Sequence, residues 1–200
     1  MVLQFRRPAS APSGQWVRTV HGPNDDQPLA MEIYPAGAAP TPGSGSVYYY
    51  HADAEGSVRL ITDASAQVVN RYEYDSFGRR LTAVEGVDQL YTWKGREYIA
   101  GLDLYYNRAR FFDPQLGRFT SEDPDGYDAG DTNLSAFAWN NPKNWNDPSG
   151  KTAIIEYSCL TQLGAGNGAT VGGVVAMVQR PDTITGDVQD LPLKDAEAQP

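Results

Sequence analysis

A mainly β chain, folded as an antiparallel meander, is what three observations predict. Short runs of apolar and aromatic residues alternate with a period of two. Clusters of turn residues separate these runs roughly every 12 positions, the spacing of hairpins rather than of helices. The aromatic residues lean to tyrosine, 12 Tyr against 6 Phe in 200 residues, and Tyr suits half-buried sheet surfaces, its ring packed and its hydroxyl near water.

The first 46 residues show little periodicity and many breakers. YPAGAAPTPGSGS, Tyr34 to Ser46, reads as a linker, because Pro stiffens it, Gly and Ser loosen it and little of it can be buried. This leaves 1–46 as an irregular N-terminal segment with a boundary at its end. From Val47 the strands begin: VYYYH then the turn ADAEG, SVRLIT then DASAQ, VVNRYEY then DSFGR. In SVRLIT, Val58, Leu60 and Thr62 share a face; in VVNRYEY, Val68, Asn70, Tyr72 and Tyr74 do. An imperfect repeat follows, RYEYDSFGRR resembling RFFDPQLGRF. Each runs aromatic, Asp, Gly, Arg, which predicts a strand ending in an Asp-led turn whose Gly takes the strained backbone position; Asp75 and Asp113 are thus turn residues. Past Gly150, KTAIIEYSCLTQL fits a strand or a short helix, Leu163 to Val178 is rich in Gly, Ala and Val, and the end reads as a disordered acidic tail. Residues 151–200 therefore form an irregular C-terminal segment.

Composition narrows the functions. A formal charge of −9 argues against nucleic acid as a partner, since counterion release needs Lys and Arg. A lone cysteine, Cys159, allows no intrachain disulfide and no Cys-based metal site. His21 and His51 are far apart and read as ordinary surface or half-buried residues. No metal or cofactor is expected. The N-terminus lacks the apolar core of a signal peptide, and no run of about 18 apolar residues exists to span a bilayer.

Two turn sequences stand out. SEDPDG places Asp123, Pro124 and Gly126 in the relation that WNDPSGK repeats with Asp147, Pro148 and Gly150. Together with YYYHADAEGSVRLITDASAQVVNRYEYDSFGR, WKGREY, LYYNRARFFDPQLGRFTSEDPDG and NNPKNWNDPSG, they resemble the RHS repeat-associated core domain of bacterial RHS, or YD-repeat, proteins and of the C component of ABC toxins. The resemblance covers 47–150. It implies that the antiparallel sheet is of the YD-repeat type and is the end-plug segment of an RHS shell. It also implies an upstream YD-repeat shell as partner, a variable toxin cargo from 151 onward with an immunity protein, and secretion or surface display through a specialised system after synthesis in the cytoplasm. In that family the core severs the cargo by chemistry like that of aspartic proteases.

Carried over residue by residue, the resemblance makes Asp123 and Asp147 the two catalytic aspartates and Arg110 the arginine of the motif. Two close carboxylates can divide the labour of hydrolysis, one as base on a water and one as acid to the carbonyl oxygen, while an always-charged fork orients a carboxylate or steadies an oxyanion. Cleavage would fall at Lys151–Thr152, once per chain. Two positions depart from the pattern. Lys151 stands where an apolar residue, usually Leu, follows the turn, and a charge beside the scissile bond costs desolvation; Asp103 stands where a Gly precedes LYY. Two other readings stay open: a non-catalytic module binding a partner or glycan, with Tyr48–Tyr50 and Tyr105–Tyr106 as stacking surface, and a carrier of a short membrane-active C-terminal toxin.

Overall fold

The computed structural model describes residues 1–6, 14–23, 26–129, 131–151, 153–157 and 175–177. Its largest element is a seven-stranded antiparallel sheet in which spatial order follows chain order: β1 (Val2–Arg6), β2 (Gln15–His21), β3 (Pro28–Ile33), β4 (Ser46–Ala52), β5 (Val58–Asp63), β6 (Val68–Tyr74) and β7 (Arg80–Glu85). The mainly antiparallel β class is as the periodicity predicts, and β4 to β6 coincide with VYYYH, SVRLIT and VVNRYEY.

Residues 1–46 differ from the expectation of an irregular segment. They supply three strands, and β3 pairs with β4 straight across the expected boundary, Met31 opposite Tyr48 and Ala30 opposite Tyr49. The period is present in QWVRTVH, where Val17 and Thr19 are buried, but the breakers of Tyr34 to Ser46 mask it. That stretch is the loop of a hairpin. It is organised by the buried carboxylate of Glu32, which accepts the amides of Gly43 (2.8 Å) and Gly45 (2.9 Å) and the hydroxyl of Tyr34 (2.9 Å), and which pairs with Arg18.

The face of β5 also differs. Val58 and Ile61 are buried, whereas Leu60 and Thr62 are partly exposed, and Val68 of β6 is exposed beside the buried Asn70, Tyr72 and Tyr74. Each neighbouring ladder carries a register shift, between His51 and Ala52 and between Ile61 and Thr62. An extra residue turns the following side chains to the other face, so strict alternation fails there.

The turns are built as the repeat predicts. Asp53, Asp63 and Asp75 each accept two backbone amides on Oδ1, from two and four residues onward. Asp113 accepts the amides of Gln115 and Leu116, two and three residues onward.

A second sheet, in the order β11 (Arg118–Phe119), β10 (Arg110–Asp113), β9 (Leu104–Asn107), β8 (Glu97–Ile99), stands beside the first. Trp93, in a short 3-10 turn, joins them. Its ring lies 5.4 Å from those of Phe112 and Phe137 and 5.6 Å from that of Tyr105. Gly78 of the first sheet's last turn touches the same indole, for a Cβ there would sit 2.4 Å from it. Burial of this aromatic group supplies the main cohesion between the sheets. Tyr50 and Tyr105 belong to the core, while Tyr49 and Tyr106 point outward, so the tyrosine runs alternate between packing and exposure.

A third, small sheet pairs β12 (Trp145–Asn146) with β13 (Ile154–Tyr157), and β13 with β14 (Val175–Met177). The irregular segment expected after Gly150 thus contains two strands. Cys159, most of Leu163 to Val178 and the acidic tail lie outside the described residues.

Candidate active site

Arg110 opens β10 and projects its guanidinium under the second sheet, against the ring of Phe119 at 3.6 Å. Asp123 and Asp147 each lead a turn closed by a Gly amide bonding back to the Asp carbonyl, Gly126 at 3.0 Å and Gly150 at 3.4 Å. Gly126 and Gly150 have φ of 58° and 71°, the left-handed values for which glycine is suited. At Gly150 the absence of a side chain is needed twice over, because a Cβ would lie 2.0 Å from the Asn107 carbonyl oxygen.

The two turns meet on the arginine. Arg110 Nη2 lies 2.7 Å from Asp123 Oδ2 and 3.2 Å from Asp147 Oδ2, with all three side chains no more than 6% exposed. The two carboxylate oxygens are therefore no further apart than these distances together. Nε of the same guanidinium donates to the Gly150 carbonyl at 2.5 Å, and Nη1 donates to the Leu134 carbonyl at 3.0 Å. Burial lowers the pKa of Arg110, against the upward pull of Asp123 and then Asp147, and a guanidinium stays charged through such a shift. The cluster thus sets one guanidinium against two carboxyl groups in a largely buried site.

The peptide on the far side of the turn is held as well. The Lys151 amide donates to Asp147 Oδ1 and to Ser149 Oγ, both at 3.1 Å. A cavity of about 20 Å³, lined in part by Arg110, Asp123, Asp147 and Lys151, has space for roughly one water. The Lys151 side chain leaves this cavity for Asp125 of the other turn, 3.1 Å away, with both groups more than 40% exposed. The desolvation cost expected of a lysine here is therefore not incurred.

Sequence reasoning named Arg110, Asp123 and Asp147, and the structure brings all three together. It missed the residues that hold the turn's main chain. The Asp147 carbonyl accepts Asn107 Nδ2 (3.2 Å) and Arg96 Nη2 (3.3 Å), and the Pro148 carbonyl accepts Arg108 Nη1. The one available signal was the crowding of Arg96, Arg108 and Arg110 within an otherwise acidic chain. The histidines have other partners. His21 packs edge-on against Tyr91, with burial lowering its pKa, and His51 bonds Thr62 at 2.9 Å. Asp103, where a Gly was expected, adopts φ of 56° and accepts the Tyr98 hydroxyl at 2.6 Å, so an Asp fills a left-handed position that Asp and Asn tolerate better than most.

No family model matches the chain. It is 37% identical over 114 residues to the tRNA3(Ser)-specific nuclease WapA of Bacillus spizizenii, a match covering 54% of this chain and 5% of that protein. It is 33% identical over 135 residues to double-stranded DNA deaminase toxin A of Burkholderia cenocepacia, covering 63% of this chain and 9% of the relative. Its relatives include RHS-type polymorphic toxins. A crystal structure of TcdB2-TccC3 shares the fold over 74% of this chain and 7% of that one, with a TM-score of 0.61 at 24% identity. The chain spans under a tenth of the length of each of these proteins. Among the described residues no helix is long and apolar enough to cross a membrane.

Proposed function

We propose that the chain is an RHS repeat-associated core domain that plugs the end of a β-shell and cuts itself once, between Lys151 and Thr152. The observation that carries this reading is the meeting of Asp123 and Asp147, from two like turns, on the buried guanidinium of Arg110. Two buried carboxylates are costly to bring together, and a turn alone does not require it.

In the proposed reaction the two aspartates enter sharing one proton: a water in the cavity gives a proton to the ionised carboxylate and attacks the Lys151 carbonyl carbon, while the protonated carboxyl delivers its proton to the oxygen. The tetrahedral species collapses to a Lys151 carboxylate and a Thr152 amine, and one water is consumed. The pair works as a unit, so neither aspartate is acid or base alone. Arg110 sets the separation of the carboxylates and, through Nε, grips the chain one residue before the cut. Residues 47–150 form the core on this reading, joined by the strands of 1–46, and 151–200 occupy the cargo position. The similarity to named toxins supports a secreted or surface-displayed parent protein, an upstream shell as partner, and an immunity protein for the cargo.

Intact mass decides the matter. The purified chain is expected to yield a new fragment of about 50 residues, and Asp123→Asn or Asp147→Asn to remain whole. A parent chain that stays whole would leave Arg110, Asp123 and Asp147 as a structural ion cluster in a non-catalytic module.

A further inference from the structure

We infer that Asp26 is a positioning residue for this site, and that through it the site is completed only when the seven-stranded sheet has folded; the inference rests on the self-cleavage reading. Asp26 belongs to the turn between β2 and β3, in the stretch that sequence alone marks as irregular. Its carboxylate receives Arg108 Nη2 on Oδ1 at 2.9 Å, and Arg108 Nη1 and Arg96 Nη2 on Oδ2 at 3.2 and 3.0 Å. These are the arginines that hold the main chain of the second turn, Arg96 at the Asp147 carbonyl and Arg108 at the Pro148 carbonyl.

The contact is built from both sides. Asp26 takes φ of 59°, and its carbonyl lies so close to the Trp93–Gly95 turn that a Cβ on Gly95 would come within 1.7 Å of it. Only a glycine at 95 lets the β2–β3 turn dock there. Arg96 is 3% exposed and Asp26 17% exposed, so their interaction is little screened by solvent. A guanidinium already held by one carboxylate loses less freedom when it binds a carbonyl. Asp26 thus orders the donors, the donors fix the carbonyls of Asp147 and Pro148, and the fixed turn aims the Asp147 carboxylate at Arg110 and Asp123. Asp26 and Arg108 are 82 positions apart, so the clamp forms only once the β2–β3 hairpin is in place. Cutting before the sheet has formed is thereby disfavoured.

Two readouts test this. Asparagine tolerates positive φ nearly as well as aspartate, so Asp26→Asn removes the charge and keeps the turn. In chains kept whole by Asp123→Asn, Asp26→Asn is expected to speed amide exchange at Gly150 and Lys151 about tenfold and leave the amides of β4 to β6 unchanged. In the otherwise unaltered chain it is expected to slow the appearance of the cut fragment by a similar factor. Arg108→Met, at a position 42% exposed, is a second probe with the same expected pattern. Unchanged exchange at Gly150 and Lys151 in both variants, or faster exchange spread equally over the large sheet, would overturn the inference. A parent chain that never cuts sinks the self-cleavage reading alone, and the exchange arm still decides whether Asp26 holds the turn.

Discussion

In the seven-stranded sheet, the turns led by Asp53, Asp63 and Asp75 are closed by amides no more than four residues away. The second Asp-Pro-x-Gly turn, of the same kind, is reached by partners 37, 40 and 51 positions distant. The first region is a ladder of local hairpins, and a fault in one rung stays in that rung. The second is a knot of charges and carbonyls supplied by β9, β10, the Trp93–Gly95 turn and the β2–β3 turn, where every member depends on the others. Local closure suits a scaffold; distant closure suits a site that must not assemble early.

The sharpest way to break the comparison is to remove one arginine from each region. Arg110→Met takes the guanidinium from two buried carboxylates and is expected to cost about 3–5 kcal/mol. Arg79→Met breaks a pair with Asp75 whose side chains are 50% and 31% exposed, and is expected to change stability by less than about 0.5 kcal/mol. Urea unfolding of both variants measures the difference. Similar losses would mean that the knot is no more cooperative than the ladder.

Glycines offer the next contrast. Gly150 and Gly56 share nearly the same backbone, φ of 71° and 77°, but a Cβ at 150 would strike the Asn107 carbonyl, while one at 56 meets nothing within 4 Å. Gly56→Ala bears the left-handed strain alone, about 1 kcal/mol. Gly150→Ala adds a backbone collision and is expected to cost about 3 kcal/mol or more, with faster exchange at the Lys151 amide. Thermal unfolding and exchange together separate the strain from the collision.

These contrasts also explain what could be read from the chain. Strands β4 to β6 and their Asp turns were legible because the information is local: period, Asp and Gly fall within one hairpin. Asp123 and Asp147 were legible because the same turn is written twice. Three things were not. Strands β1 to β3 hide behind a Pro- and Gly-rich loop whose order comes from Glu32, a single buried acid that composition cannot distinguish from a solvated one. The face of β5 is set by bulges, which leave no mark in a short run. Asp26 sits in an NDD run that reads as loop, and its partners become visible only when the β2–β3 turn meets Gly95.

The mildest prediction concerns Glu32, which gives the ladder one feature of the knot. Burial works against its charge, but the amides of Gly45 and Gly43, the Tyr34 hydroxyl and Arg18 outweigh burial and hold its pKa below the ordinary value. A lowered carboxyl pKa contributes stability that is fully present above the unfolded value, about 4.3 for glutamate, and is lost as pH falls through the folded value. Glu32→Gln keeps an oxygen for the two amides and loses the charge facing Arg18. The variant is expected to be modestly less stable than the parent at pH 7, with the gap shrinking as pH falls below about 4.3, where the unfolded chain's carboxyl takes up a proton. Exchange at Gly150 and Lys151 is expected to be unchanged at pH 7, because Glu32 organises a hairpin loop rather than the clamp. Urea midpoints across that range test the first part and amide exchange the second. A gap of constant size would show that the loop is held by shape and not by charge, and a change at Lys151 would show that the ladder and the knot are one cooperative unit.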